Sequence, residues 1–243
     1  MRAPTVNQLF GAWEQGLSQS PIQRSLTLLS LLDDETPPAQ LTELSLGQRD
    51  GKLLALREKT FGQRMIGYAA CPACVLRLEL NFDVCDLAMN PIAEVAEPLA
   101  LREADYEVRF RLLNSSDLAT ADYTDLAAGR LSLLKGCVLS ATRQGQDVPV
   151  EGLPDAVTSL LASRIADADP QSDVDLSLTC PRCEHHWQTP FDIGSFLWAE
   201  IHAWACRLLR EIHALASAYG WREADILALS PWRRQAYLEL VEQ

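Results

Sequence analysis

Two short stretches decide how the chain folds: CPAC, from Cys71 to Cys74, and CPRC, from Cys180 to Cys183. Each is followed by seven residues and then by Phe-Asp, at Phe82-Asp83 and at Phe191-Asp192. Two matching motifs with the same spacing to a third indicate a degenerate internal repeat. We call the two motifs the first and the second knuckle.

Strand patterns flank the knuckles. From residue 76 to residue 82, apolar and polar residues alternate, which is the period of a half-buried strand. The same alternation runs through residues 173–178, just before the second knuckle. We therefore predict two hairpins, each with a knuckle at its turn. Packed about a local twofold axis, they bring four thiols to one point.

Zinc is the natural occupant of such a site. It binds four thiolates tetrahedrally, and a gap of two residues lets one tight turn supply two of them. The predicted ligands of one structural zinc ion are Cys71, Cys74, Cys180 and Cys183. The ion would connect segments more than a hundred residues apart.

Three other interpretations compete with a structural zinc site. In a thioredoxin-like redox pair the reactive thiol lies at a helix N-terminus, which lowers its pKa, but here a strand pattern follows Cys74. A mixed site would replace one cysteine by His185 or His186, which four matched thiols make unnecessary. A catalytic zinc needs an open coordination position, and four thiolates leave none.

The residue after each knuckle is unusual for this kind of turn. Glycine often stands there because φ tends to be positive, but this chain has Val75 and Glu184. A β-branched residue at positive φ is unfavourable. The sequence therefore predicts a distorted first knuckle. The remaining cysteines, Cys85, Cys137 and Cys206, stand singly among apolar residues and are predicted to pack as small hydrophobic groups.

Composition narrows the class of protein. The 243 residues carry a formal charge of −12 at pH 7 and the pI is near 4.8, whereas nucleic-acid binding depends largely on Lys and Arg contacts with phosphates. This opposes the alternative function, a zinc-ribbon regulator that binds nucleic acid. The start MRAPTVNQLFGAWEQG does not resemble a secretory signal, and no 18-residue apolar run predicts a membrane span. We expect a cytoplasmic protein with reduced cysteines.

The predicted fold class is α+β, with a zinc-bound hairpin core, flanking helices, a long C-terminal helix and short terminal helices. We predict three parts: residues 1–45, helical with a Pro-rich linker at residues 33–40; residues 46–192, the α+β zinc-binding core; and residues 193–243, helical and packed on the core. The long helix is predicted around residues 197–219, with Gly220 after its end. Within the core, a helix is predicted from residue 114 to Leu126.

Three stretches resemble a known family: LREKTFGQR (Leu56–Arg64), DYEVRFRLLNSSDLA (Asp105–Ala119) and, above all, the string from Cys180 to Val241. They are similar to the small zinc-binding baseplate proteins of contractile phage tails and extracellular contractile injection systems, which are related to the baseplate hub assembly chaperones of T-even-type phages. The resemblance covers roughly residues 46–243 and leaves the first forty-five residues outside.

The resemblance implies a structural or chaperone-like role in a baseplate, with hub and spike proteins as partners and zinc on the four knuckle cysteines. The acidic charge leads us to expect no nucleic acid among the partners. The resemblance also implies partner contact through the C-terminal helices, including Trp221, Arg222, Trp232, Arg233 and Arg234. Tryptophan and arginine are also favoured in interface hot spots. The alternative for Trp232 is a helix start with the indole turned inward and both following arginines in solvent.

Neither an enzyme nor a redox protein is the preferred interpretation. The sequence has no nucleophile elbow, P-loop, dinucleotide fingerprint or His-Glu-x-x-His motif. A thiol oxidoreductase remains a third hypothesis, and it requires a cysteine of low pKa.

Overall fold

The computed structural model describes residues 3–32, 37–89 and 98–241. The chain is α+β, as predicted: helices surround three small antiparallel sheets. The helices are α1 (Val6–Gly16), α2 (Pro21–Leu29), α3 (Pro38–Glu43), α4 (Leu46–Phe61), α5 (Val84–Leu87), α6 (Ser115–Thr120), α7 (Leu126–Cys137), α8 (Asp155–Ala168), α9 (Ile193–Tyr219), α10 (Glu223–Leu227) and α11 (Pro231–Val241).

The strands form two hairpins and one meander. They are β1 (Arg64–Ala70), β2 (Arg77–Asp83), β3 (Leu99–Glu103), β4 (Tyr106–Phe110), β5 (Val138–Arg143), β6 (Gln146–Asp147), β7 (Asp175–Thr179) and β8 (His186–Pro190). β1 pairs with β2 and β7 with β8, whereas β3, β4, β5 and β6 follow one another in the meander sheet. We call β1–β2 and β7–β8 the knuckle hairpins, because each knuckle forms their turn.

The N-terminal and C-terminal helices share one hydrophobic core. α1, α2 and α4 contribute Leu9, Leu28 and Leu53, which are buried in the same cluster as Leu197 and Ile201 of α9. Each of α1, α2 and α4 begins with a capping box. The hydroxyl of Thr5, Ser20 or Ser45 accepts a hydrogen bond from the amide of the glutamine three residues later, and the side chain of that glutamine accepts one from the amide of the capping residue. The division of the chain at residues 45 and 192 stays a prediction.

A second core belongs to the meander sheet. Leu101, Val108 and Phe110 of the sheet are buried against Leu161 and Ile165 of α8. A third, smaller core lies at the end of α9, where Leu215 meets Ile226 of α10. Gly220 ends α9 in the left-handed region, at φ 67°, which confirms its predicted place after the helix.

Two local predictions are wrong. The helix predicted from residue 114 to Leu126 ends at Thr120, and a separate helix, α7, begins at Leu126. Of the predicted linker at residues 33–40, residues 33–36 lie outside the described residues, and residues 38–40 are helical. The cause is that Pro38 occupies the first helical position, where proline has no amide to lose.

In the described residues, no helix combines the length and the apolar character that crossing a membrane requires.

Candidate metal centre

The two knuckles meet at one point. The thiol sulfurs of Cys71, Cys74, Cys180 and Cys183 all lie within 4.8 Å of one another. Cys71 Sγ is 3.7 Å from Cys183 Sγ, and Cys74 Sγ is 3.6 Å from Cys180 Sγ. The first cysteine of one knuckle thus contacts the second cysteine of the other, as a local twofold axis requires. We call these four residues the cysteine cluster.

The two turns have the same hydrogen bonds. The Cys71 amide donates to the Leu76 carbonyl at 2.9 Å, and the Val75 amide donates to the Cys71 carbonyl at 2.9 Å. In the second knuckle the Cys180 amide donates to the carbonyl of His185, and the Glu184 amide to that of Cys180, again at 2.9 Å. The predicted internal repeat therefore holds at the level of single backbone bonds.

The residue after each knuckle has positive φ. It is 59° at Val75 and 58° at Glu184, so the conformation that glycine favours is adopted without glycine. The predicted distortion of the first knuckle is absent, since both turns close with the same bonds at the same lengths. Val75 adopts this conformation despite its β-branch, which strains the backbone.

The repeat continues beyond the strands. Phe82 and Phe191, which stand at equivalent positions, meet edge to face with ring centroids 5.9 Å apart, and Phe196 of α9 contacts both. Asp83 and Asp192, the next residue in each repeat, are the N-cap residues of α5 and α9. The hairpins are thus joined at two ends, by sulfur at the knuckles and by aromatic rings at the helix starts.

Burial and local hydrogen bonds make the four thiols unequal. Cys71 and Cys180 are buried, Cys74 is half-buried and Cys183 is exposed. Burial opposes ionisation of Cys180, but the amides of Arg182 and Cys183 and the neighbouring thiols outweigh it and lower its pKa to about 6. The His185 amide favours the thiolate of Cys183, but partial desolvation and the three adjacent thiols raise its pKa to about 12. The two thiols of the second knuckle therefore differ in how readily they ionise.

The histidines beside the second knuckle have other contacts. The ring of His185 stacks on Trp187, with centroids 6.0 Å apart, and His186 Nδ1 lies 2.8 Å from Thr179 Oγ1. The potential metal ligands that the described residues bring together are the four cysteines.

The other three cysteines differ from one another. Cys137 is fully buried, and burial together with the nearby Asp117 carboxylate raises its pKa to about 11, which suits an inert packing role. Cys206 is half-buried, but Cys85 is exposed, so the prediction that Cys85 is a packed residue is wrong.

Sequence reasoning missed a partly buried ion pair that positions the first hairpin. The Arg57 guanidinium on α4 makes two hydrogen bonds to Glu200 on α9, at 2.9 and 2.7 Å, and a third at 2.7 Å to the Gly62 carbonyl. Gly62 lies in the turn that enters β1, so the pair fixes where that strand starts. Single charged residues 143 positions apart gave no sequence signal.

The C-terminal residues predicted to contact a partner have different environments. Trp221 stacks on Tyr219 and meets Tyr237 edge to face, and Arg234 forms an ion pair with Glu211 at 2.8 Å. Arg222 and Arg233 are exposed, and the side chain of Trp232 is 85 % exposed. The indole of Trp232 therefore points outward, whereas Trp221 and Arg234 hold α10 and α11 against α9.

A model of the family described as T4 bacteriophage base plate protein matches residues 7–198. The chain belongs to this family. The matched range is more than half of the 243 residues and contains all four residues of the cysteine cluster. It also extends the range of the resemblance, because it includes most of the first forty-five residues, which were expected to lie outside it.

No curated protein and no solved structure matches the chain significantly.

Proposed function

We propose that this protein is a non-enzymatic structural or assembly component of a contractile phage-tail-like baseplate, and that one zinc ion on the cysteine cluster stabilises it. The observation that carries the proposal is the family match over residues 7–198, a range that includes both knuckles. Its partners are then other baseplate proteins, such as those of the hub and spike, and it acts in the cytoplasm or in the assembled particle.

Zinc fits the cysteine cluster in chemistry and in dimensions. A regular tetrahedron with Zn–S bonds of about 2.3 Å places its sulfurs about 3.8 Å apart. Two of the sulfur–sulfur distances are 3.7 and 3.6 Å and all are within 4.8 Å, and four soft thiolates in a tetrahedral arrangement favour zinc or an iron–sulfur centre. All four positions are supplied by the protein, which supports a structural and not a catalytic ion.

Contacts within the chain extend the constraint that the cysteine cluster imposes as far as α9. The cluster joins residues that are 112 and 106 positions apart in sequence, and the contact of Phe82 with Phe191 and Phe196 carries it to the first turn of α9. A fixed start of α9 fixes the direction of a helix that is 27 residues long. The proposed role of the cluster is therefore to hold the helical C-terminus at a set angle to the rest of the protein.

The C-terminus offers a surface for a baseplate partner. We propose that Trp232, Arg222 and Arg233 contact the partner, since they are exposed and their residue types are favoured in interface hot spots. Trp221 and Arg234 support this surface indirectly, through their contacts with Tyr237 and Glu211.

Deletion of the gene tests the function. In a strain that produces contractile particles, we expect the deletion to leave incomplete baseplates or non-contractile particles in electron micrographs, and plasmid-borne wild type to restore complete ones. Normal, complete, contractile particles without the protein would contradict the proposal.

A matched pair of cysteine variants tests whether particle assembly depends on the cysteine cluster or on any exposed thiol. Cys183→Ser removes an exposed thiol of the cluster, whereas Cys85→Ser removes an exposed thiol outside it. We expect only Cys183→Ser to fail in restoring particles.

A further inference from the structure

A groove of about 310 Å³ lies between the two knuckle hairpins. Four consecutive residues of β2, from Glu79 to Phe82, line one side, and three consecutive residues of β7, from Leu176 to Leu178, line the other. Successive side chains of a strand point to opposite faces. Consecutive lining residues therefore mean that the main chains of β2 and β7 themselves border the groove.

Both of these main chains have an unpaired edge. Among the described strands, β2 pairs with β1 alone and β7 with β8 alone. In the described part of the chain, residues 79–82 and 176–178 form no backbone hydrogen bond beyond these ladders. In an antiparallel pair, alternate residues direct their N–H and C=O groups away from the partner strand. Such a row of free donors and acceptors is a template for another strand.

The side chains that line the groove are largely apolar, and those at one of its ends are acidic. Leu80, Phe82 and Leu176 are half-buried at the lining. β2 leaves the cysteine cluster and β7 returns to it, so Asp83 and Asp175 lie at the same end, away from the cluster. Both are exposed. Arg64 stands opposite Asp83 on the paired strand, but the residue opposite Asp175 is Pro190, which carries no charge. This end of the groove therefore attracts a cation.

We propose that an extended segment of a partner baseplate protein binds in this groove and adds a strand between β2 and β7. The two hairpins then become one five-stranded sheet, with the new strand antiparallel to one neighbour and parallel to the other. Alternate side chains of the segment are apolar, and a Lys or Arg lies beside Asp83 and Asp175. The identity of the partner rests on the proposed function.

An extended chain suits this groove better than a helix does. A helix uses its N–H and C=O groups internally, so it would leave both strand edges unpaired. A strand pairs with both edges, and its alternate side chains meet the apolar lining. In strand addition generally, the main-chain bonds supply affinity and the side-chain pockets supply specificity.

Two exposed residues on one face of the second hairpin form a matched test. Ser177 lines the groove, and Gln188, its partner across the β7–β8 ladder, does not. Ser177→Arg places a positive charge at the groove, which repels a basic segment as a neutral side chain does not, whereas Gln188→Arg places the same charge outside it. We expect only Ser177→Arg to lose restoration of complete particles in the deletion strain. Both full-length variants should keep the metal content and thermal unfolding of wild type.

Photocrosslinking identifies the occupant. With benzoylphenylalanine at position 177 of the full-length protein, we expect crosslinks to one continuous segment of another particle protein, mapped by mass spectrometry, and none to that segment from position 188. Crosslinks to a second copy of this chain, to no other protein, or to the same segment from both positions would overturn the proposal.

The outcomes separate this inference from the proposed function. If deletion blocks assembly and Ser177→Arg restores it as well as wild type does, strand addition is wrong and the baseplate role stands. If deletion has no effect on particles, the baseplate role is wrong, and the crosslink from position 177 alone decides whether the groove binds an extended segment.

Discussion

The meander sheet and the knuckle hairpins differ in how deeply their strands are buried. Leu101, Val108 and Phe110 of the meander sheet are at most 4 % exposed and pack in a core of their own. In the four strands of the knuckle hairpins, all of which are described, Met65 is the one buried residue, and the others are half-buried or exposed. Two-stranded hairpins are marginal on their own in water, so the hairpins need a crosslink that the meander sheet does not.

Loss of one cluster cysteine should produce the largest difference in stability between the knuckle hairpins and the meander sheet. Structural zinc contributes about 10–16 kcal/mol to the folding of zinc-finger peptides at pH 7, comparable to a domain's net stability of about 5–15 kcal/mol. In Cys180→Ser we expect the amides of β1, β2, β7 and β8 to lose protection in hydrogen-exchange mass spectrometry, before those of β4 and β5. Cys85→Ser is the control and should behave as wild type. Unchanged protection of both hairpins in Cys180→Ser would show that the cluster does not hold them.

A core substitution in the meander sheet should lower the stability of the protein and leave the cysteine cluster intact. Phe110 is 2 % exposed, and truncation of a buried Phe to Ala destabilises a protein by about 3–5 kcal/mol. We expect Phe110→Ala to lower the free energy of unfolding by this amount in urea titration. The purified variant should retain all of its metal. Loss of metal in proportion to loss of stability would mean that the two regions are not separately stabilised.

Much of this contrast could be predicted from sequence, because it depends on short-range patterns. Alternating residues predicted β2 and β7, and the matched knuckles predicted which four cysteines meet. α7 was missed because Gly129 and Gly136 lower its helix propensity and because it buries only Leu134 and Cys137. The Arg57–Glu200 ion pair and the groove were also missed, since both depend on how distant segments are placed in space.

Glycine at the residue that follows the first knuckle should stabilise the protein. Val75 stands at φ 59° and is 76 % exposed, so its side chain contributes little packing, whereas left-handed conformations in non-glycine residues cost about 1–2 kcal/mol. We expect Val75→Gly to raise the midpoint of thermal unfolding, corresponding to about 1 kcal/mol. Glu184→Gly, the equivalent change in the second knuckle, should give a smaller increase because Glu is not β-branched. A lower midpoint for Val75→Gly would mean that the positive φ is not strained.

The smallest effect on stability is expected at the exposed indole of α11. Trp232 is 85 % exposed, and surface substitutions usually change stability by less than about 0.5 kcal/mol. Trp232→Ala should therefore unfold like wild type in urea, yet restore fewer complete particles in the deletion strain. Trp221→Ala is the matched comparison and should lose stability, since Trp221 packs on Tyr219 and Tyr237. A strongly destabilised Trp232→Ala would contradict the outward position of its side chain.

The measurement that tests the central claim most directly is the metal content of the purified full-length protein, with thiol titration of the folded state. A structural zinc site on the cysteine cluster predicts one equivalent of zinc per chain by elemental analysis, and the four cluster thiols protected from titration until the protein is denatured with a chelator. Protein that contains no zinc, and whose four cluster cysteines titrate in the folded state, would contradict it.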